Sequence, residues 1–542
     1  MTDVVSLLLP MFAGAPLLVG GILLALPRQH TVRSVLGMVS LVAMLAGAVL
    51  LVVLTADGTV IAHQVALWPG GISIPFVADL FASLVLTVTS ILAVVSFQYM
   101  IASREARSPS IASFVLILAG GVAGALLTGD LFNLFVFIEV MLLPSYGLLL
   151  VLSRQGDLGG ARLFVTVNLL ASTLFLGGVG LIYAVEGTVN LAELAGAAVD
   201  NPATAVAAAV CLGAIAVKAA VFPVHGWLAR TYVVTSPAVT ALFSGLHTKV
   251  AIYVIYRIYA VVFDGEATWL VIALVITSLT MVIGVFGAMG EPTMRSILVF
   301  HMVSQIGYVL VGVGLFTQLG LTAGIFYLLH NMIVKASLFL STGAIEQTYG
   351  SGRLDQLGGM RTREPLITAA FVIAALSLAG LPPFSGFVAK FSLILATIDA
   401  GQVIVGIVAI AVSLFTLLSM LKIWAAVFNG KLPQDSERRA AEARVRETAG
   451  LLDDEPVEAA AVDAEMQAVR ERHDTARAGE SDDDTHDHHG PRVPLRLALP
   501  ALQLAAITVC LGIGAEFLLG LSEQAAAGLI DTTDYVVAVI GQ

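Results

Sequence analysis

Charge and cysteine are both scarce in this chain. Only 12% of its 542 residues are Asp, Glu, Lys or Arg, against about 25% in a soluble domain. Hydrophobic residues make up 58%, and the mean hydropathy is +0.94. A soluble fold of this length cannot cover its surface with so few polar residues. Water-soluble classes are therefore excluded, and the composition predicts an all-α polytopic membrane protein. The two cysteines, Cys211 and Cys510, lie in apolar runs, which excludes a disulfide framework and a thiolate metal site. The net charge of −11 is local: residues 430–493 hold 17 acidic and 9 basic residues, leaving 21 against 18 elsewhere. Nothing in that balance suggests nucleic acid, and no metal or cofactor is expected.

What the chain does have is apolar runs long enough to cross a bilayer, which needs about 20 residues per helix. Fourteen are read, near 4–27, 33–55, 78–101, 110–128, 130–153, 161–185, 203–229, 236–262, 268–290, 296–316, 321–346, 366–398, 402–429 and 495–522. The first is too long for a signal-peptide core and follows an acidic Asp3, so it counts as a span. Spans seven and twelve are interrupted, by Pro223 and Gly226 in KAAVFPVHGW and by Pro382, Pro383 and Gly386 in LPPFSGFVAK. Such breaks free backbone groups that lipid cannot satisfy, so they should face protein or water. ASTLFLGGVGLIYAVEGTVNLAEL, from 171, and ASLFLSTGAIEQTYGSGRLDQL, from 336, read as an internal repeat. They fall in spans six and eleven, an odd number of helices apart, so the copies must be inverted, a pattern that points to transporters.

Lys and Arg are absent from alternate connections. The others carry Arg28 and Arg33, Arg104 and Arg107, Arg154 and Arg162, Arg230, Arg295, then Arg353, Arg361 and Arg363, and finally the nine of 430–493. By the positive-inside rule these are cytoplasmic, with both termini outside. Within 430–493 the stretch QDSERRAAEARVRETA suits a helix, while GESDDDTHDHHG reads as disordered. Its His486, His488 and His489 are better explained as a solvated tail than as metal ligands.

Lysine is the rarest cation, with six in all, of which Lys218, Lys249, Lys335, Lys390 and Lys422 fall within spans. Arg keeps its charge, whereas a buried lysine can release its proton because desolvation disfavours the ammonium. Lys422 lies near the inner end of span thirteen and reads as a boundary anchor. The other four are near mid-span, where a charge costs at least a few kcal/mol and marks a proton or ion path. One carboxylate matches them: Glu139, nine residues past Asp130, about 14 Å along a helix axis. His247 beside Lys249 and His330 before Lys335 suit proton relay, and His301 lies near the inner end of span ten.

The stretch VKAAVFPVHGWLARTYVVTSPAVTALFSGLHTKVAIYVIYR, with LHNMIVKASLFL and LPPFSGFVAKFSLI, resembles the antiporter-like subunits shared by respiratory complex I and Mrp-type multisubunit sodium/proton antiporters. FNLFVFIEVMLLPSYGLL is most similar to the D-type subunit of the Mrp complex. The resemblance implies two inverted five-helix repeats, spans four to eight and nine to thirteen, with broken helices seven and twelve. The expected segments are 1–109, 110–262, 268–429, 430–493 and 494–542. It also implies that Glu139 and Lys218 form a coupling ion pair, that Lys249 and Lys335 with His330 continue the path, and that Lys390 ends it. Where many relatives carry an acidic Pro-Asp after the Trp of span seven, this chain has Leu228, Ala229 and Arg230, which speaks more against complex I than against Mrp. The expected function is the proton-translocating subunit of a hetero-oligomeric antiporter in a bacterial cell membrane, with protons and sodium as transported ions. The alternative is the pumping subunit of complex I or of a membrane-bound hydrogenase. An enzyme is disfavoured: there is no metal-ligand spacing, no Ser/His nucleophile motif and no haem pair.

Overall fold

The computed structural model describes residues 2–25, 29–65, 73–152, 158–430, 436–449, 457–477 and 492–541. Arg28, Arg154, His486, His488 and His489 lie outside them.

Each apolar run becomes helix, because in hydrocarbon every backbone N–H and C=O must be satisfied within its own segment. The first run is two helices, α1 (Thr2–Leu8) and α2 (Met11–Ala25), parted at Pro10, which has no N–H to give. Then come α3 (His30–Thr55), α4 (Leu80–Ala102), α5 (Ile111–Leu127), α6 (Leu131–Leu152) and α7 (Leu158–Glu186). A one-turn α8 (Ala197–Asp200) leads into α9 (Pro202–Lys218), α10 (Gly226–Thr231) and α11 (Pro237–Val262). The second half runs through α12 (Leu270–Gly290), α13 (Met294–Leu315), α14 (Gln318–Tyr349), a short α15 (Met360–Arg363), α16 (Pro365–Ala379), α17 (Ser385–Asp399) and α18 (Val403–Ile423). Among the described residues eleven helices are long and apolar enough to cross a membrane, and α5, α9 and α16 are shorter apolar ones.

The two interrupted runs are broken where the prolines predict. One helix stops at Lys218 and resumes at Gly226, the other stops at Ala379 and resumes at Ser385. The Phe222–Pro223 and Pro382–Pro383 peptides are cis. Carbonyls freed at the breaks are taken up from inside the protein. Trp227 Nε1 donates to Val217 O at 2.9 Å, and Lys390 Nζ and Ser413 Oγ both donate to Ala379 O at 3.0 Å.

Burial is graded across the bundle. α11, α13 and α14, which carry Lys249, His247, His301, His330 and Lys335, are almost wholly enclosed, while α2, α3, α12 and α18 keep broad apolar faces exposed. The helices richest in polar groups occupy the centre, because a charge facing lipid costs more than one facing protein.

Three features were not read from the sequence. A two-stranded hairpin pairs β1 (Ile61–Gln64) antiparallel with β2 (Pro75–Ala78), Ile61 opposite Ala78. The charged segment holds not one helix but two, α19 (Ser436–Ala449) and α20 (Ala459–Arg477), joined by an Arg444–Glu465 ion pair at 3.3 Å. The last run is α21 (Leu495–Ile513), and the chain continues helical as α22 (Ala515–Ile530) and α23 (Thr533–Ile540).

Two glycines show how tightly the second break is built. Gly380 has φ +85°, and a Cβ there would fall 2.7 Å from Lys390 Cδ. A Cβ on Gly386 would fall 1.7 Å from Ser377 O and 3.1 Å from His330 Nε2. Gly386→Ala therefore has to push α17 away from α16. We expect a loss of about 1–3 kcal/mol, read as a lower melting temperature of the detergent-solubilised protein, with Gly213→Ala, which meets nothing within 4 Å, as the control that should not lower it.

Candidate functional site

The mid-span lysines and histidines fall into two clusters that meet at the centre. In the first, Lys218 is the last residue of α9, and its Nζ donates to Asn168 O at 3.1 Å and Ser172 Oγ at 2.8 Å on α7. His247 Nε2 shares a hydrogen bond of 2.8 Å with Ser145 Oγ of α6. Its ring stands edge-on to Phe243, with centroids 4.6 Å apart, and to Phe164 at 5.9 Å. Aromatic walls of this kind fix the imidazole and exclude lipid. Lys249, two residues on, is fully buried, and its Nζ has no hydrogen-bond partner among the described residues.

In the second cluster Lys335 Nζ donates to Leu298 O of α13 at 3.1 Å. His330 Nδ1 bonds Ser385 Oγ at 2.9 Å, the first residue after the break. Lys390 Nζ, besides Ala379 O, reaches Ser413 Oγ at 2.9 Å and lies 5.3 Å from the centroid of Tyr308. Tyr308 stacks on Tyr327 at 5.3 Å, and Tyr327 bonds Gln305. His301 is fully buried and bonds Ser419 of α18.

Electrostatically the groups form a series. Lys218 lies within reach of Glu139 and of His247, Lys335 within reach of Lys249 and Lys390, and Lys390 within reach of His330 and His301. The structure thus brings together all seven path residues read from the sequence. The expected ion pair differs: Glu139 and Lys218 are within electrostatic reach, but no contact of 4 Å or less joins them among the described residues. The reason is topological. α7 packs against both α6 and α9, so Lys218 finds its ligands on α7, and Glu139, half-buried, keeps Oε1 without a partner.

Lys422 ends as a cap, its Nζ donating to Met289 O and Glu291 O at the end of α12 at 2.9 and 2.8 Å, where a cation suits unpaired carbonyls. Sequence reasoning missed the partners Ser145, Asn168, Ser172, Gln305, Tyr308, Tyr327, Ser385 and Ser413. It also missed Arg257, which donates to Asp79 at 2.5 Å; an Arg inside an apolar run was the available signal. Among the described residues no three of His, Cys, Asp and Glu converge as a metal set.

Residues 128–416, which include Glu139 and the four mid-span lysines, match the family described as NADH:quinone oxidoreductase/Mrp antiporter, transmembrane. Over 531 residues the chain is 34% identical to the D-type subunit of the Na+/H+ antiporter of Alkalihalophilus pseudofirmus, covering 97% of each. It is similar to a chain in the structure of the Mrp complex from a Dietzia species, at 51% identity and a TM-score of 0.88 over 98% of this chain and 99% of that one. A chain of respiratory complex I from Thermus thermophilus shares the fold alone, at 21% identity and a TM-score of 0.67 over 96% and 98%.

The first break gives a direct check on this geometry. Trp227→Phe keeps an aromatic ring but removes the indole bond to Val217 O, leaving that carbonyl the Ala220 N–H alone, at 3.1 Å. Losing one buried hydrogen bond costs about 0.5–1.5 kcal/mol, so the melting temperature should fall modestly, while Trp269→Phe, at an exposed indole, should leave it unchanged.

Proposed function

The chain belongs to the NADH:quinone oxidoreductase/Mrp antiporter family, with the D-type subunits of Na+/H+ antiporters, and we propose that it is the proton-translocating subunit of a multisubunit sodium/proton antiporter in a bacterial cell membrane. It is a transporter subunit and not an enzyme. Segments 110–262 and 268–429 act as its two inverted halves. Positive connections, including 430–493, face the cytoplasm and both termini face out. Other subunits of a hetero-oligomeric complex complete it.

The observation that carries this reading is the enclosed series of lysines with a single carboxylate. Sodium wants several oxygen ligands. Here the mid-span supplies Glu139 against Lys218, Lys249, Lys335 and Lys390, and the break carbonyls Val217 O and Ala379 O already have donors. Two like charges about 6 Å apart at an effective dielectric of about 20 repel by about 3 kcal/mol, which holds a metal cation off. A proton avoids that penalty, because it travels by changing the charge of the carriers themselves. Glu139 and Lys218 couple at a distance, Lys249, Lys335, His247 and His330 relay, and Lys390 ends the line. Sodium crosses in a partner subunit, coupled through the field of the lysines. Complex I membership is the weaker alternative, since 51% identity links the chain to an Mrp complex and 21% to complex I.

Lys390→Arg is the sharpest test, because it keeps the charge but cannot release the proton. Sodium-driven proton movement in everted vesicles should fall to background with the complex still assembled; full exchange would defeat the proposal. The orientation has its own check. Thr485→Cys in a cysteine-free background should resist an impermeant thiol reagent added to intact cells, and labelling there would reverse it.

A further inference from the structure

α4 and α11 run antiparallel in contact along most of their length, and three points fix their register. At one end the Phe81 ring meets Tyr253 and Tyr256, with centroids 4.9 and 5.5 Å apart. In the middle Leu92 fills the space that Gly245 leaves, since a Cβ there would fall 2.1 Å from Leu92 Cδ1. At the other end Tyr99 and Pro237 converge on Gly343 of α14, whose Cβ would lie 3.2 Å from the Tyr99 hydroxyl and 2.1 Å from Pro237 Cβ. Helical spacing then sets Thr89, Leu92, Ser96 and Tyr99 of α4 along the same seam as Gly245, Thr248 and Lys249 of α11.

Four polar atoms of this seam are unpaired, while Thr89 Oγ1 donates to Leu86 O at 2.9 Å. The Tyr99 hydroxyl, Ser96 Oγ, Thr248 Oγ1 and Lys249 Nζ are buried and have no hydrogen-bond partner among the described residues. Buried polar groups in proteins are ordinarily bonded, to ordered water where protein offers nothing. Two unpaired hydroxyls lie on one side of Leu92, and an unpaired hydroxyl and ammonium on the other.

At the Tyr99 end sits Glu105, in the 3-10 turn Glu105–Arg107. It is partly buried and accepts a hydrogen bond of 3.0 Å from Ser236 Oγ, the N-cap of α11. Facing it are Tyr99 of α4, Ser103 at that helix's C-cap, and Arg295 of α13, which is itself paired with Glu346 of α14; Arg104 caps its turn and Arg107 ends it. Burial, the largest influence, lifts its carboxyl to about 7 against the opposing pull of the Ser236 and Ser103 hydrogen bonds and of Arg295. Below that pH the group holds its proton, and above it the proton is given up.

We propose that Glu105 exchanges protons with the cytoplasm and that water in the α4–α11 seam conducts them past Tyr99 and Ser96 to Lys249, with Leu92 on Gly245 as an apolar constriction that must swing aside. Glu105 passes its proton to seam water and is reprotonated from the cytoplasm, while the neutral Lys249 amine takes up one proton to become ammonium. This rests on the proton-carrying reading and orientation proposed above.

The test uses the assembled complex in everted vesicles, with Cys211 and Cys510 replaced by Ser. Ser96→Cys should react with a water-soluble thiol reagent added at the cytoplasmic face, and Thr89→Cys, beyond the constriction, only when Leu92→Ala is also present. Glu105→Gln should slow exchange by about tenfold or more and flatten its pH dependence between about pH 6 and 8, while Glu105→Asp restores both. An unreactive Ser96→Cys, or an unchanged pH profile in Glu105→Gln, overturns the seam. Labelling needs no transport, so the two readings fail separately: full exchange by Lys390→Arg defeats the lysine series, an unreactive Ser96→Cys the seam alone.

Discussion

The structure depends on one constraint, that lipid offers no partner to a polar group. The chain meets it with an unusual choice of partner. Four of the five lysines within apolar runs donate to a backbone carbonyl: Lys218 to Asn168, Lys335 to Leu298, Lys390 to Ala379 and Lys422 to Met289 and Glu291. A carbonyl is a dipole and not a charge. When a lysine held by a carboxylate loses its proton, it abandons a buried anion, which is expensive. When a lysine held by a carbonyl does so, it leaves a neutral acceptor that the amine can still satisfy. Both protonation states are then tolerable, as the reversible carriage proposed above requires.

The two broken helices solve the same problem with different residues. In the first half the donor that reaches back across the break is neutral, Trp227 to Val217, and Lys218 stands before the break with its ligands on another helix. In the second half the donor is the cation, Lys390 to Ala379, after the break. The fold is near-symmetric, but charge is built into only one of the two splices. The second break is thus held by its own mid-span lysine together with Ser413, and the first is not.

Much of this was legible in the sequence, for physical reasons. Spans show because hydrocarbon demands long apolar runs, breaks because Pro and Gly cannot continue a helix, and the enclosed lysines because a mid-span charge is costly enough to be rare. What the sequence could not show was the partner of each charge. Ser172, Ser145 and Ser413 look like any small residue in a membrane helix, and a carbonyl partner has no residue type at all. The distance between Glu139 and Lys218 was hidden because it depends on α7 packing against both of their helices, and the outer hairpin because its strands are only four residues long.

The tail carries a consequence for biogenesis. Arg257 lies 4.8 Å from the centroid of Tyr535 in α23 and pairs with Asp79, and Gln64 Nε2 donates to Val539 O at 2.7 Å across 475 residues of chain. Gln318 Nε2 likewise bonds Glu523 O in α22. One end of the bundle is therefore sutured by residues that leave the ribosome hundreds of residues after the helices they close. Contacts of such long range form late. A nascent chain that has inserted all its mid-span lysines still has an open end, and its Arg257 has Phe81 and Tyr253 beside it but not Tyr535, so insertion and sealing are separate events in its maturation.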